Sequence, residues 1–325
     1  MSEELSPEHQ FDQRHLIELF NRGLVNELPY ELGPMPALPG DPGIGQDLAS
    51  WNVIDSRGRL TREAAQLFAG ITGYSWAISG TLLLYNERRD VQAKIPDEFL
   101  QYKLQYAIRD IPRVTFLIGV LSKTVEGVAE PVISSIVQAR GRLVIGSDHY
   151  PGTEEGAYEK VAQIVSAIVD PKGVWKPYPL AETAIPASTA TAVAADRNTD
   201  PEQVDEIVET TTNGLVEAGL SAPTVRTLTE MLRRDNVANV ELALTKRTAI
   251  GKKMALYNAA GVLFFIGDTS GVADRKLLAV SYPTRAIDGQ KWITYESANL
   301  DSITRAIAAM HEGFGKADPA HLKNT

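Results

Sequence analysis

The stretch that decides the fold runs from Val262 to Tyr295 and reads VLFFIGDTSGVADRKLLAVSYPTRAIDGQKWITY. It opens with the apolar run Val262–Ile266, which is too short for a helix and is followed by a Gly-Asp pair. In the next run, Leu277–Tyr282, successive residues fall on opposite faces, and the run Trp292–Tyr295 alternates in the same way. Period-two alternation between Gly/Asp turns predicts an antiparallel meander.

A helical pattern follows this meander and recurs throughout the chain. From Asn299 onward, apolar residues return at helical spacing, so a helix is predicted to lie on the sheet. Helices are also predicted over 11–22, 61–71, 153–169, 187–195, 200–215 and 224–234, and strands over 76–85, 114–121, 132–139, 143–147 and 237–246. Thr61 and Asp200 are predicted N-caps.

Two segments break these patterns. The Pro/Gly-rich stretch Leu28–Gly45 is expected to form a loop, over about residues 28–47, with no regular element. The connection Asn86–Arg113 is far longer than a hairpin turn. Within it, Pro96–Asp110 predicts a helix with an aliphatic side and an aromatic side. The aromatic side either belongs to the core or waits for a partner, since exposed aromatic residues are enriched at interfaces.

The two halves of the chain share one order of elements: a helix, four strands and a helix. This order predicts two quasi-twofold-related repeats, over about residues 51–170 and 200–315, within one domain that spans residues 1–325. One such unit would expose an apolar sheet face and a strand edge, and pairing two units buries both. The expected fold class is therefore α+β, an antiparallel β-sheet with flanking helices.

Composition narrows the class of protein. The chain has 325 residues, 44% hydrophobic and 22% charged, as in ordinary soluble domains. It contains no Cys, so disulfides and thiolate metal sites are excluded. The polar, acidic N-terminus is unlike a signal peptide, and no apolar run reaches the roughly 20 residues of a membrane span. A net charge of -9 argues against nucleic-acid binding. A cytoplasmic protein is expected.

No catalytic motif stands out. The five His residues lie far apart without ligand spacing, and no HExxH, GxSxG or GK[ST] motif is present. Asp268–Gly271 resembles an aspartic-protease triplet but has Ser where Gly is needed, so it is interpreted as a turn. No catalytic residue, metal site or cofactor is expected. A small-molecule hydrolase that uses unidentified carboxylates is kept as the alternative function.

Four segments of the chain carry a resemblance to a known family. They are the opening helix with LPYEL at Leu28–Leu32, WNVIDSRGRLTREAAQLF at Trp51–Phe68, GLSAPTVRTLTEML at Gly219–Leu232, and the spaced Asp, Thr, Arg, Gly and Trp residues of Asp268–Thr294. Together they resemble the EspG family, cytosolic chaperones associated with ESX (type VII) secretion in actinobacteria. The resemblance implies a non-enzymatic chaperone that binds the apolar helical tip of a PPE protein in a PE–PPE heterodimer. Such a chaperone keeps its substrate soluble and targets it to one secretion system.

The resemblance also implies where the partner binds: the loop after the first long strand of the first half, the central sheet, and the helices and strand of the second half. The expected contact residues are Glu87, Arg88, Arg89, Ile95, Phe99, Tyr102, Tyr106, Thr227, Glu230, Met231, Arg234 and Lys246. An apolar groove with a polar rim is expected there, because it has to mask an apolar helix end. A homodimer is left open. Export of the chain itself is rejected, because its one Tyr-x-x-x-Asp match, at Tyr106–Asp110, lies mid-chain without a Trp-x-Gly turn.

Overall fold

The structure is a computed structural model. It describes residues 11–33, 42–84, 89–91, 108–125, 129–139, 142–187, 209–210, 212–217, 219–233, 236–247, 257–266, 277–285 and 291–314. The predicted helix 187–195, apart from its first residue, and the predicted N-cap Asp200 lie outside these residues.

The chain begins with a helical layer. It contains α1 (Gln13–Asn21), a 3-10 turn (Tyr30–Leu32), α2 (Pro42–Ser50) and α3 (Arg62–Thr72). The predicted cap of α3 is confirmed, because the Thr61 side chain accepts a hydrogen bond from the Ala64 N–H. At the start of α1, the Asp12 side chain accepts a hydrogen bond from the His15 backbone N–H, and the His15 side chain accepts one from the Asp12 N–H. This reciprocal pair is a capping box.

The strands of the first half follow, together with their closing helix. They are β1 (Trp76–Leu83), β2 (Arg89–Val91), β3 (Ile108–Asp110), β4 (Arg113–Leu121), β5 (Val132–Ala139), β6 (Arg142–His149) and α4 (Glu154–Val169). Apart from the short β2 and β3, each of these elements was predicted, with bounds that differ by a few residues at most. Local periodicity was sufficient because each element packs one continuous apolar stripe against the core.

The elements of the second half follow. They are β7 (Lys176–Pro177), β8 (Thr183–Pro186), α5 (Ala222–Arg233), β9 (Asn236–Lys246), β10 (Tyr257–Ile266), β11 (Leu277–Arg285), β12 (Lys291–Ser297) and α6 (Leu300–Phe314). The meander of β10, β11 and β12 confirms the prediction from which the sequence argument started. At the start of α6, Asn299 and Ser302 exchange backbone–side-chain hydrogen bonds of 2.8 and 2.9 Å.

Ten described strands form one sheet, with nine in the order β6-β5-β4-β1-β9-β10-β11-β12-β8 and β7 pairing with β11. All neighbours along the nine-strand path are antiparallel. The two halves meet where β1 pairs with β9, from Trp76 opposite Lys246 to Leu83 opposite Asn239. The α+β class with an antiparallel sheet and flanking helices is therefore confirmed. The division into two related repeats within a single domain stays a prediction.

One face of the sheet, here called the covered face, carries α4 and α6 side by side. Residues of β1, β4, β9 and β11 on this face are almost fully buried, among them Ile78, Phe116, Leu242 and Val280. Val161 and Val165 of α4 and Ile307 of α6 complete the same core. Because this core draws on both halves, burial of apolar surface holds them together.

The opposite face, here called the divided face, carries two separate clusters. At one side, α1, α2 and α3 pack over β4, β5 and β6, with Phe68 and Leu117 among the buried residues. At the other side, Val225 and Leu228 of α5 pack with Ala279 of β11 and other residues from β8 and β12. The strands between these two layers are β1, β9 and β10.

The structure corrects the prediction for the Pro/Gly-rich stretch Leu28–Gly45. A 3-10 turn forms at Tyr30–Leu32, and α2 begins at Pro42 and continues beyond the predicted loop. Proline is well accommodated in the first turn of a helix, where its missing N–H has no partner to lose. Ile44 and Leu48 are buried in the α1–α3 cluster, and this tertiary burial outweighs the weak helix propensity of the glycines.

The long connection Asn86–Arg113 is also corrected in part. Ile108–Asp110, predicted as the end of a helix, is the strand β3 and pairs antiparallel with β2. Helical spacing had placed Ile108 on the aliphatic side of a predicted helix. In the structure, the backbone N–H and C=O groups of this segment instead pair with those of Arg89–Val91 in a two-stranded ladder. The rest of the predicted helix lies outside the described residues.

The stretch Pro171–Pro186 is rich in proline, and no helix or strand was predicted in it. It instead carries the chain to the far side of the sheet, where β7 pairs with β11 and β8 pairs with β12. Short strands that contain Pro are typical of sheet edges, because Pro has no N–H to donate to a neighbouring strand. The Tyr178 hydroxyl donates to the carbonyl of Thr227 in α5 at 3.4 Å and so ties this segment to the second-half layer.

Candidate functional site

The central strands β1 and β9 bury one face and leave part of the other face accessible. On the covered face, Leu82, Val240 and Leu242 are at most 6% exposed. On the divided face, the alternating residues of the same strands are half-buried or exposed; they are Thr81, Leu83, Asn239, Glu241 and Ala243. These five residues are here called the open strip. The strip lies between two covered regions of the same face, and this concave position makes it a candidate site for a partner.

The open strip lies between the two helical layers. The 3-10 turn of the first layer covers β4, and the Thr115 hydroxyl donates to its Leu32 carbonyl at 3.2 Å. On the other side, α5 covers Ala279 of β11. The strands β1, β9 and β10 between them span about 10 Å at the usual strand spacing. That width is close to the diameter of an α-helix with its side chains, roughly 10–12 Å.

One end of the strip is closed. There Ala77 is fully buried and Thr245 is 1% exposed. Arg247, just after β9, holds the first layer against this end. Its Nη2 donates to Glu27 Oε2 and to the Thr72 carbonyl, each at 2.7 Å. Its guanidinium also lies 4.6 Å from the centre of the Tyr74 ring. Among the described residues, this end of the strip is therefore covered, and the accessible positions lie toward the opposite end of the strands.

That opposite end is where several predicted contact elements begin or end. Leu83, the last residue of β1, is opposite both Asn239 and Arg113. The chain leaves β1 there toward the ribbon of β2 and β3, and α5 ends just before β9 begins. Strand pairing thus brings the base of the long connection and the C-terminal end of α5 to the open end of the strip.

Seven of the twelve predicted contact residues lie outside the described part of the chain. They are Glu87, Arg88, Ile95, Phe99, Tyr102, Tyr106 and Arg234. Arg89 is in β2, and Glu230 and Met231 are in the last turns of α5. Thr227, also in α5, is half-buried, and its hydroxyl donates to the Pro223 carbonyl at 3.0 Å. The role of each as a contact stays a prediction.

Lys246 lies apart from the other predicted contact residues. It shares the covered face with Leu244, and it is opposite Trp76 at the closed end of β9. Its ammonium donates to the His311 carbonyl in the last turn of α6 at 2.9 Å. Burial lowers the pKa of Lys246, and the nearby Glu154 carboxylate opposes that shift. From Glu241, Lys246 is five residues along the strand, roughly 16 Å away.

Lys246 belongs to a polar and aromatic junction between four elements. The Trp76 indole donates to Glu154 Oε2 at 3.0 Å, and the Tyr158 hydroxyl lies 2.8 Å from His311 Nδ1. The His311 ring meets the edge of Trp76 at a centroid distance of 5.2 Å. Burial and the charge of Lys246 lower the pKa of His311 to about 4. Burial, helped by Glu154, raises the pKa of Tyr158 to about 12, so both groups are uncharged near neutral pH.

The described residues do not meet the requirements of a metal site or of a membrane-spanning helix. No group of three or more His, Asp or Glu side chains among them is arranged to hold a metal ion. Within the same part of the chain, no helix is long and apolar enough to cross a membrane.

The sequence interpretation missed the open strip. Its signal was present in β9, where Asn239, Glu241, Ala243 and Thr245 alternate with Val240, Leu242 and Leu244. A polar face on a strand indicates exposure on that side. The pattern did not show that β9 lies at the centre of the sheet, between two covered regions of this face. The floor is also less apolar than the groove that was expected.

Comparisons with known proteins agree with this architecture. No protein-family model matches the chain, and no curated protein matches its sequence. A solved structure does match, that of the Mycobacterium tuberculosis type VII secretion system chaperone EspG5 in complex with the PE25–PPE41 dimer. The likeness has a TM-score of 0.59 at 14% identity, and it covers 93% of this chain and 94% of that chain. The chain therefore has an EspG-like fold.

Proposed function

We propose that this chain is a chaperone for a PE–PPE heterodimer, which it binds through the PPE protein. In this role it keeps the PPE protein soluble in the cytoplasm and directs it to one type VII secretion system. The observation that carries the proposal is the likeness in fold, over nearly the full length of both chains, to a chaperone solved with a PE–PPE dimer.

The open strip is the surface to which we assign the PPE protein. It is wide enough for one helix, and it lies between two helical layers that supply walls. Peptides and helices that dock in such grooves place their apolar side chains against the floor and their polar ones at the rim. Leu83 and Ala243 offer apolar contact, while Thr81 and Asn239 supply hydrogen-bonding groups.

The long connection after β1 is the second part of the proposed surface. It leaves the sheet at the open end of the strip and forms the paired strands β2 and β3. Phe99, Tyr102 and Tyr106 lie in its sequence between those strands, and we propose them as aromatic anchors. On the second-half side, Thr227, Glu230 and Met231 of α5 are proposed as further contacts.

The proposal is tested by co-expression with the PE–PPE pairs encoded beside this chain, followed by co-purification and size-exclusion chromatography. We expect a stable complex of one chaperone chain with one PE and one PPE chain. The change Ala243→Arg puts a long, charged side chain into the strip and should abolish the complex. The matched control is Ala181→Arg, which changes an exposed alanine in the loop before β8.

Three outcomes separate the parts of the proposal. If Phe99, Tyr102 and Tyr106 are all changed to Ala and the complex survives, the long connection is not an anchor. If Ala243→Arg binds as well as the control, the strip is not the docking surface. A well-folded chain that forms no complex with any pair would contradict the chaperone function itself. The same chromatography of the chain alone shows whether it forms a homodimer.

A further inference from the structure

Glu241 occupies the middle of the open strip. Its neighbours across the ladder are Thr81 in β1 and Val262 in β10. The side chain is exposed, and within the described part of the chain it makes no ion pair and no side-chain hydrogen bond. An acidic residue with no partner at the centre of a ten-stranded sheet requires an explanation.

Among the described residues of β1, β9 and β10, Glu241 is the one charge on the divided face, and the exposed Arg113 of β4 lies on the same face opposite Leu83. The other residues that the pairing of β1 with β9 places on this face are Ala77, Ser79, Thr81, Leu83, Asn239, Ala243 and Thr245. Val262 and Phe264 hold the β10 register positions beside Glu241 and Asn239, and β10 contains no Asp, Glu, Lys, Arg or His. A partner that docks on these three strands would therefore meet one carboxylate among uncharged side chains, with the Arg113 cation two strands away from it at the open end.

A docked partner would remove water from this carboxylate. Burying an ionised group without a partner is strongly unfavourable, whereas pairing it with a cation offsets much of the loss of hydration. Asn239 lies two residues away on the same face, about 7 Å along the strand. Its Oδ1 is buried from solvent, so Glu241 is the acidic acceptor that a docking segment would meet.

We propose that Glu241 is a specificity-determining residue, which accepts only PPE segments that present a basic side chain to it. This inference rests on the proposed function and adds the chemistry of the selected partner. An arginine fits best, because its planar guanidinium carries several donors and can bind a carboxylate through two of them. A lysine would supply the charge with fewer fixed donors.

The same residue would reject other partners. A purely apolar helix in the strip would leave Glu241 desolvated and unpaired, so its affinity would be lowered. An acidic segment would be repelled. A leucine at this position would bind an apolar helix better, so the glutamate is an advantage only if the correct partner carries a cation.

The test measures affinity by calorimetry, with the PE–PPE pair that co-purifies with the wild-type chain as the probe. The variants are Glu241→Gln, Glu241→Leu and Glu241→Lys, and the control is Glu155→Gln, at an exposed glutamate on α4 above the covered face. We expect the Gln and Leu variants to bind about tenfold more weakly and with less dependence on salt. The Lys variant should lose binding, and the control should match the wild type.

A charge swap identifies the basic residue. Each Lys and Arg of the PPE helical tip is changed to Glu and combined with Glu241→Lys, and one combination should restore binding. Tighter binding by Glu241→Leu, or unchanged binding by all three variants, would overturn the role of Glu241 while leaving the chaperone function intact. Absence of binding by the wild-type chain would instead overturn the proposed function, and this inference with it.

Discussion

The ammonium of Lys246 donates a hydrogen bond of 2.9 Å to the backbone carbonyl of His311. His311 lies in the last turn of α6, where carbonyl groups lack a partner within the helix. A cation at that end also interacts favourably with the helix dipole. One side chain at the end of the central strand therefore fixes the end of a helix that covers the sheet.

Removal of this contact should lower stability. We expect Lys246→Met, which keeps the length of the side chain, to reduce the free energy of unfolding by about 1.5 kcal/mol. Urea unfolding followed by circular dichroism measures this change, and an unchanged slope would show that the unfolded state is the same. Lys172→Met, at an exposed turn, is the control and should shift stability by less than about 0.5 kcal/mol. Equal effects at both sites would contradict the role of Lys246.

His311 should make stability depend on pH in the acidic range. Its pKa falls from the ordinary value of 6.5 to about 4 in the folded chain, so the folded state binds its proton less readily than the unfolded state. This contribution is complete above pH 6.5 and is lost as the pH falls toward 4. The full shift corresponds to roughly 3 kcal/mol, and partial exposure of the ring should reduce it to about half.

Unfolding of the wild type and of His311→Asn at several pH values between neutral and acidic isolates this term. Asparagine keeps a donor and an acceptor near Tyr158 but does not titrate. All other groups contribute equally to both proteins, so the wild type should lose more stability on acidification. Parallel pH profiles would show that His311 does not contribute.

The close approach of α3 to β4 leaves no space for a side chain at Gly119. A Cβ built there would lie 1.9 Å from the Gly70 carbonyl oxygen of α3, so the helix would have to move. We expect Gly119→Ala to lower the free energy of unfolding by about 2–3 kcal/mol. Gly146→Ala is the matched strand control, because its nearest neighbour, Ser135 Oγ, is at an ordinary 3.4 Å. Thermal or urea unfolding that fails to separate the two variants would contradict this packing.

Removal of the ion-pair partner of Glu296 should lower the free energy of unfolding. Glu296 is 5% exposed, accepts a hydrogen bond of 2.7 Å from the Tyr282 hydroxyl and pairs with Arg305 of α6. Because Arg305 is half exposed, we expect Arg305→Met to lower stability by about 2 kcal/mol, less than for a fully buried pair. Adding Glu296→Met should restore part of that loss, since the double variant buries no unpaired charge. A double variant less stable than the sum of the single changes would contradict this account.

Much of the secondary structure could be predicted because it depends on local signals. The alternation in Leu277–Tyr282 and the spacing of Val161, Ile164 and Val165 each record which residues face the core. The predictions failed where distant contacts outweigh local preference. Burial of Ile44 and Leu48 forms α2 from a Pro/Gly-rich stretch, and pairing with β2 makes Ile108 part of a strand.

The predicted site was harder, because contact residues depend on which elements come together. Thr227 and Lys246 are 19 positions apart in a single helix-and-strand segment, which made a shared surface plausible. The strand β9 lies between them, and Lys246 is its last residue. Lys246 therefore lies at the closed end of the open strip, against α6. Glu241, five residues before it, went unnoticed because an exposed glutamate is unremarkable until its strand is known to be central.

The sequence by itself determined the kinds of element, most of their bounds, the Thr61 cap and the α+β class, because these follow from periodicity and from groups a few residues apart. Tertiary structure alone decided that β1 pairs with β9, that the helices of the two layers leave a strip between them, and that Glu241 lies in it. The residues paired across this junction lie more than a hundred positions apart. No local pattern records such a pairing, and only the burial of the shared core selects it.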